Sequence, residues 1–171
     1  MSDKRKKKAL LVYIIFVLCF IWGQSVLPGD QSSGESMFVL EKLIHPLERV
    51  LFGRTVSTEW QVRKAAHVFE YTMLALGLGG YLYLRESPRI PGKERFRRAF
   101  FRSLSCGLAA ALADETVQLF SGRGSMVSDI WIDGAGVLAG TLLSLSVIRL
   151  RQKRRDSRSG KESRESTDHD H

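Results

Sequence analysis

The sequence has few cysteines and no recognisable nucleic-acid-binding motif. Its 171 residues include two cysteines, Cys19 and Cys106, whose separation fits neither a zinc knuckle nor an exposed disulfide. The net charge of +8 is compatible with a nucleic-acid partner, but no zinc-finger or RNA-binding signature accompanies the basic residues. These residues lie instead in short blocks that flank long apolar runs. We therefore interpret the cysteines as packing residues and predict no nucleic-acid partner.

The chain contains four long apolar runs. Ala9–Leu27 has no charged residue, and the runs at 65–84, 99–120 and 130–148 each have one to three ionisable residues. A hydrocarbon core of about 30 Å requires about 20 apolar residues in a helix, so each run has the length of a membrane span. A soluble bundle would have a polar residue at every third or fourth position, and residues 10–23 have no charged or amide side chain. We predict an all-α fold, an integral membrane four-helix bundle.

The first run has some features of a signal peptide, because Lys and Arg precede it. No Ala-x-Ala site follows it, and Cys19 lacks the small preceding residue of a lipoprotein site. We expect an uncleaved membrane anchor.

Basic residues are concentrated at three places. Half of the 26 Lys and Arg residues lie in residues 1–8 and 149–171, and six more lie in residues 85–98. Short basic loops stay in the cytoplasm, so both termini are predicted to be cytoplasmic. The chain then consists of a basic N-terminus at 1–8, a four-span domain at 9–150 and a tail at 151–171. We expect the tail to be disordered, because it is charged and has no apolar periodicity.

The predicted outer segment between the first two spans contains an amphipathic helix. Apolar residues recur there at alternating spacings of three and four, namely at Met37, Leu40, Ile44, Leu47 and Leu51. Such a helix is predicted to lie on the outer leaflet or to cap the bundle, and a plain connector fits the same pattern. The following residues, Thr58-Glu59-Trp60-Gln61, predict a capping box at the start of the second span.

Polar residues of the second run share one helix face. At about 100° per residue, five of them fall within roughly one third of the circumference. They are Arg63, Lys64, His67, Glu70 and Tyr71. Because intramembrane polar residues usually face the bundle interior or a cavity, this face is a candidate functional surface.

The third and fourth runs have polar faces that coincide with small residues. Asp114 and Gln118 share a face, with Glu115 at its edge. In the fourth run, Asp129 and Asp133 share a face with Gly136 and Gly140. The Gly136-x-x-x-Gly140 spacing is typical of closely packed membrane helices. We therefore predict that these acids point into the bundle, near its outer end.

The energetic cost of these residues indicates a function. An ionisable residue at the centre of a membrane helix costs on the order of 3 kcal/mol on insertion scales. A purely structural network, in which Arg63, Lys64 or Arg123 neutralises the acids, is the alternative interpretation. If it holds, we expect Glu70, Asp114 and Asp133 to approach one basic group, Arg63 or Arg123.

The candidate residues permit two kinds of chemistry. His67 and Glu70, with the acids of the other runs, supply enough nitrogen and oxygen for a divalent metal. The runs contain a single His and no His-x-x-x-His motif, so we predict neither a metal nor another cofactor. Paired carboxylates would also permit acid–base catalysis. No nucleophile accompanies them, since Ser121 and Ser125 lie in a glycine-flanked loop without the nucleophile-elbow pattern.

Two of these segments together resemble the signatures of the VanZ-like family of bacterial membrane proteins. The first is Arg63-Lys64-Ala65-Ala66-His67-Val68-Phe69-Glu70-Tyr71. The second is Asp114-Glu115-Thr116-Val117-Gln118-Leu119-Phe120, followed by Arg123, Asp129, Gly136 and Gly140. The resemblance covers about half of the chain. It implies a multi-pass protein of the bacterial cytoplasmic membrane, with a polar cluster at the outer end of its four spans. The family commonly has Asn where this chain has Asp133.

The family takes its name from a protein that gives low-level resistance to the glycopeptide teicoplanin. The resemblance implies that the cluster binds an amphiphilic ligand or alters its access, such as a lipid-linked cell-wall precursor or a lipoglycopeptide. Arg63, Lys64 and Arg123 would contact anionic head groups, and Asp129 and Asp133 would contact amines. Membrane lipids are the other expected partners. The alternative is an intramembrane hydrolase or transferase that acts on a lipid, with Glu70, Asp114 or Glu115 as acid and base.

Overall fold

The described part of the chain is almost entirely helical. The computed structural model describes residues 3–26, 34, 36–120 and 127–168. The helices are α1 (Asp3–Val26), α2 (His45–Phe52), α3 (Glu59–Arg85), α4 (Gly92–Phe120) and α5 (Val127–Asp168). A π-helical turn, Leu40–Ile44, directly precedes α2. The part of the chain that the structure describes contains no strand, which confirms the predicted all-α class.

The four long helices pack with alternating directions along the chain. The hydroxyl group of Tyr13 in α1 donates a hydrogen bond to the carbonyl oxygen of Met73 in α3, at 3.0 Å. The hydroxyl groups of Ser103 in α4 and Thr141 in α5 lie 2.9 Å apart and are both buried. The shared core contains apolar residues from all four helices, among them Ile21, Leu74, Ala111 and Val137.

Close approach of α3 and α5 depends on glycine. A Cβ atom added to Gly136 would lie 2.5 Å from the carbonyl oxygen of Val68, and one added to Gly140 would lie 2.2 Å from that of Thr72. Both distances are shorter than van der Waals contact, and backbone atoms cannot rotate away as a side chain can. The two glycines therefore hold the backbone of α5 directly against α3.

The connection between α1 and α3 contains the predicted capping box. The Thr58 side chain accepts a hydrogen bond from the Gln61 amide, and the Gln61 side chain accepts one from the Thr58 amide. None of the residues of α2 is buried, although Leu40 in the preceding turn is 4% exposed. The apolar stripe predicted for this segment is therefore mostly exposed.

Within the described residues, two helices are long and apolar enough to cross a membrane, judged by length and composition. They are α1 and the part of α5 at 128–158. The polar residues that α3 and α4 carry within their apolar runs lower their mean hydropathy. These two helices correspond to the first and the fourth of the four predicted spans.

The last helix is longer than the sequence pattern indicates. We expected a disordered tail over 151–171, whereas α5 continues as far as Asp168. Arg, Lys and Glu make up nine of the 18 residues from 151 to 168, and these residues have high helix propensity. Extension of an existing helix also avoids the cost of nucleation. Residues 169–171 lie outside the described residues.

Candidate functional site

Four ionisable side chains from three helices converge on one buried position. We call them the His–carboxylate cluster, namely His67, Asp114, Glu115 and Asp133. Each supplies one nitrogen or oxygen atom to a group whose members all lie within 4.8 Å of one another. The three acids are buried, and His67 is half-buried.

Close packing of α3 and α5 places Asp133 beside His67. Asp133 lies one turn before Gly136, and His67 immediately precedes Val68, which Gly136 contacts. The Nδ1 atom of His67 is 3.2 Å from Oδ1 of Asp133. The Asp133 residue is 0% exposed. Neither of its carboxylate oxygens accepts a hydrogen bond from the residues that the structure describes.

Asp114 is anchored by polar groups from two helices. Its carboxylate accepts hydrogen bonds from the hydroxyl group of Ser25 in α1 and, at 2.9 Å, from Nε2 of Gln118. Asp114, Gln118 and Ser25 are all buried. Glu115 is 3% exposed, and it is the next residue along α4. Through Ser25, α1 therefore contacts one carboxylate of the cluster directly.

Ser25 is a site residue that the sequence analysis missed. It follows Gln24 near the end of an otherwise apolar run. This polar pair is the signal that could have identified it, because Ser25 lies one turn after the buried Ile21 and so shares its face.

Tyr71 packs next to the cluster without being part of it. Its ring is fully buried in the core shared by the four long helices. Its hydroxyl oxygen lies 3.5 Å from the carbonyl oxygen of Ala110. Tyr71 therefore links α3 to α4 one turn before Asp114.

A second ionic contact lies nearer the start of α3. Lys64 forms an ion pair with Asp129 at the start of α5. The same ammonium group lies 5.7 Å from the ring centroid of Trp60, within the range of a cation–π interaction. Lys64 and Asp129 thus pair with each other, one turn away from the His–carboxylate cluster.

A groove between α1 and α3 reaches the cluster. Its volume is about 240 Å³. Its apolar wall includes Phe20, Ile21 and Val62, and its polar wall includes Arg63 and Glu70. His67 lines the same groove and also contacts Asp133, so it connects the groove with the buried carboxylates.

We predicted that three acids approach one basic group, Arg63 or Arg123. The basic side chain next to Asp133 is the imidazole of His67. Arg63 instead lines the groove. Arg123 lies outside the described residues. Asp114 and Asp133 lie in the cluster, and Glu70 lines the groove that reaches it, so their approach to one shared basic group stays a prediction.

The sequence of the chain matches one known protein family. The model of the VanZ/LLP1 family matches residues 10–149, which is most of the chain. The chain belongs to the VanZ/LLP1 family. The resemblance seen in two signatures is therefore confirmed, and the match also includes α1 with Ser25. No curated protein and no solved structure matches the chain significantly.

The site of this VanZ/LLP1 chain combines two chemical environments. The cluster provides carboxylate oxygens and one imidazole in a buried setting, where each interaction with a cation or a proton is stronger than in water. The adjoining groove provides apolar surface with one guanidinium group and one carboxylate at its wall. Such a combination suits recognition of a molecule with an apolar part and a charged part.

Proposed function

We propose that this VanZ/LLP1 protein crosses the bacterial cytoplasmic membrane four times, with α1, α3, α4 and α5 as the spans. These helices have 24, 27, 29 and 42 residues, and about 20 suffice to cross a bilayer. Large apolar side chains of α1 point away from the other helices, with Phe16 69% exposed and Ile15 52% exposed. Contact with lipid explains such exposure, which is rare over contiguous areas on soluble proteins.

The proposed topology places both termini in the cytoplasm. It follows from the basic residues at the start of α1, between α3 and α4, and along the end of α5. Cysteine labelling in intact cells tests it, after replacement of the natural cysteines by alanine because both are exposed. Arg54→Cys should react with an impermeant reagent, whereas Ser157→Cys should react only after lysis. The reverse pattern would move the cluster to the cytoplasmic side.

In this topology α2 lies on the outer leaflet. Val50 is 83% exposed and Leu47 is 59% exposed, which suits an interfacial helix with its apolar face in the lipid. A spin label at Val50 should be more accessible to oxygen, and one at the neighbouring Arg49 more accessible to a water-soluble relaxer. Equal accessibility at both positions would identify α2 as a plain connector.

We propose that the groove between α1 and α3 binds an amphiphile with an anionic head group. The observation that carries this proposal is the joint presence of Arg63, His67 and Glu70 on a wall that continues into Phe20, Ile21 and Val62. Sites that enclose a whole drug-sized ligand measure about 300–1,000 Å³. A groove of about 240 Å³ therefore suits a head group with the adjoining part of its chain. A lipid-linked cell-wall precursor or a lipoglycopeptide has this chemistry.

Lipid analysis of the purified protein tests the ligand. We expect the wild type to retain an anionic amphiphile, and Arg63→Gln to reduce its amount, because the guanidinium group of Arg63 lines the groove and would contact the anionic head group. Glu94→Gln is the matched control, because Glu94 pairs with Arg97 and Arg98 outside the groove. Equal lipid content in all three proteins would contradict the proposal.

Protection of a susceptible bacterium against a lipoglycopeptide tests the consequence in cells. Glu70→Gln and Asp114→Asn should each abolish protection while the protein still accumulates in the membrane. Truncation after Arg155 should leave protection nearly intact. Loss of the protein itself in both variants would instead assign these residues to scaffolding.

The proximity of several buried carboxylates to the groove favours a second candidate, a lipid hydrolase or transferase. Asp114 and Glu115 would then act as acid and base on a lipid held in the groove. Turnover of a lipid substrate by the purified protein would support this function. Ligand protection without turnover would support the binding function.

A further inference from the structure

We propose that the His–carboxylate cluster is a binding site for a divalent metal ion. The ion would be ligated by His67 from α3, Asp114 and Glu115 from α4, and Asp133 from α5. This proposal does not depend on the identity of the amphiphile or on its binding in the groove.

The first argument is the donor set. One imidazole and three carboxylates are a mixed nitrogen and oxygen set, which suits divalent ions such as Mn²⁺ and Zn²⁺. The four donor atoms lie within 4.8 Å of one another. Ligands on opposite sides of an ion are about 4–5 Å apart for bonds of 2.0–2.6 Å. Small rotations of these side chains would therefore suffice to ligate one ion.

The second argument is the state of Asp133. It is 0% exposed, and its two oxygens accept no hydrogen bond from the described part of the chain. Nδ1 of His67 lies 3.2 Å from Oδ1 of Asp133, and neither atom forms a hydrogen bond within the described residues. Buried carboxylates are normally paired or coordinate a metal. An ion between His67 and Asp133 would supply the missing interaction.

The third argument is the support around the ligands. Asp114 is oriented by the hydroxyl group of Ser25 and the amide of Gln118. Metal-ligating carboxylates are commonly hydrogen-bonded in this way by surrounding groups. The ligands also come from three helices that glycines hold in close contact, so the site is built on rigid elements. His67 lines the groove, which provides a path for the ion.

Metal binding to the full chain in detergent or nanodiscs tests the proposal. His169→Gln and His171→Gln are introduced in every protein, because terminal histidines bind metals adventitiously, and no histidine tag is used. After stripping with a chelator, Mn²⁺ and Zn²⁺ are each added, and bound metal is measured by equilibrium dialysis and mass spectrometry. We expect about one ion per chain. Retention of neither ion by the folded protein would overturn the proposal.

Site variants identify the ligands. His67→Gln and Asp133→Asn should weaken binding tenfold or more. Glu86→Gln is the matched control, because Glu86 is also a buried acid but pairs with Arg102 at the opposite end of α3. This variant should bind as the wild type does. Unchanged binding in His67→Gln and Asp133→Asn would overturn the assignment.

If the site variants fail to fold, a spectroscopic measurement on the otherwise unchanged chain tests whether a histidine ligates the ion. Pulsed electron paramagnetic resonance of the Mn²⁺-loaded chain should show coupling to one imidazole nitrogen. His45→Gln should retain this coupling, because His45 lies outside the cluster next to Ser57. Absence of any nitrogen coupling, or its loss in His45→Gln, would overturn the proposal.

Discussion

Ser25 near the end of the first helix donates a hydrogen bond to the buried carboxylate of Asp114 in α4. The two residues are 89 positions apart in the chain. This contact makes α1 part of the site rather than a simple anchor, because removing the hydroxyl group would change the surroundings of a cluster carboxylate.

Ser25→Ala should therefore destabilise the protein. A buried carboxylate that loses a hydrogen-bond donor typically costs about 1–3 kcal/mol. Thermal or denaturant unfolding in detergent, followed by circular dichroism, measures the change. Ser105→Ala is the control, because Ser105 is exposed on α4. Equal stability of the two variants would show that the Ser25 contact contributes little.

Gly140→Ala should push α3 and α5 apart. The added methyl group would lie 2.2 Å from the carbonyl oxygen of Thr72. Overpacking of this kind typically costs about 1–3 kcal/mol, and it would also move Asp133 away from His67. Gly23→Ala is the control, since nothing lies within 4 Å of its added Cβ atom. A wild-type unfolding midpoint for Gly140→Ala would contradict the observed packing.

Arg102→Met should be more harmful than Arg97→Met. Arg102 pairs with Glu86, whose side chain is only 4% exposed, so its loss leaves a buried carboxylate without its cation. We expect a cost of about 1–3 kcal/mol. Arg97 pairs with Glu94 and is 67% exposed, and such surface pairs contribute about 1 kcal/mol or less. Unfolding measurements on both variants compare the two pairs, and a larger effect of Arg97→Met would contradict this ranking.

The connection between α2 and α3 should loosen at acid pH. Hydrogen bonds from the Ser57 hydroxyl and the Val56 amide hold the pKa of Glu48 below its usual value. Because the folded pKa is lowered, this stabilisation is present above the usual glutamate pKa of about 4.3 and is lost as the pH falls through the lower folded value. Hydrogen exchange at Val56 and Ser57, corrected for the intrinsic rate, should show the loss. Glu48→Gln should remove the pH dependence, and an unchanged pH profile in that variant would contradict this explanation.

The sequence alone determined the helical class and pointed to polar residues that the fold brings together. Four apolar runs of nearly span length predicted helices, because a segment that crosses a membrane must satisfy its backbone polar groups internally. Periodicity placed His67 and Glu70 on one face, and Asp133 on a face with Gly136 and Gly140. The two separated signatures also identified the family, which the match over residues 10–149 confirmed.

The tertiary structure decided which side chains of different helices meet. His67 and Glu70 share a helix face and both line the groove, and the packing of α5 places Asp133 3.2 Å from His67. Helical periodicity fixes the angle of a side chain around its own axis, but not which neighbouring helix lies opposite or at what height. The glycine contacts between α3 and α5 set that height, and the position of α1 brings Ser25 to Asp114. A single histidine gave no metal motif in the sequence, because the other three candidate ligands come from two other helices and meet it only in the folded protein.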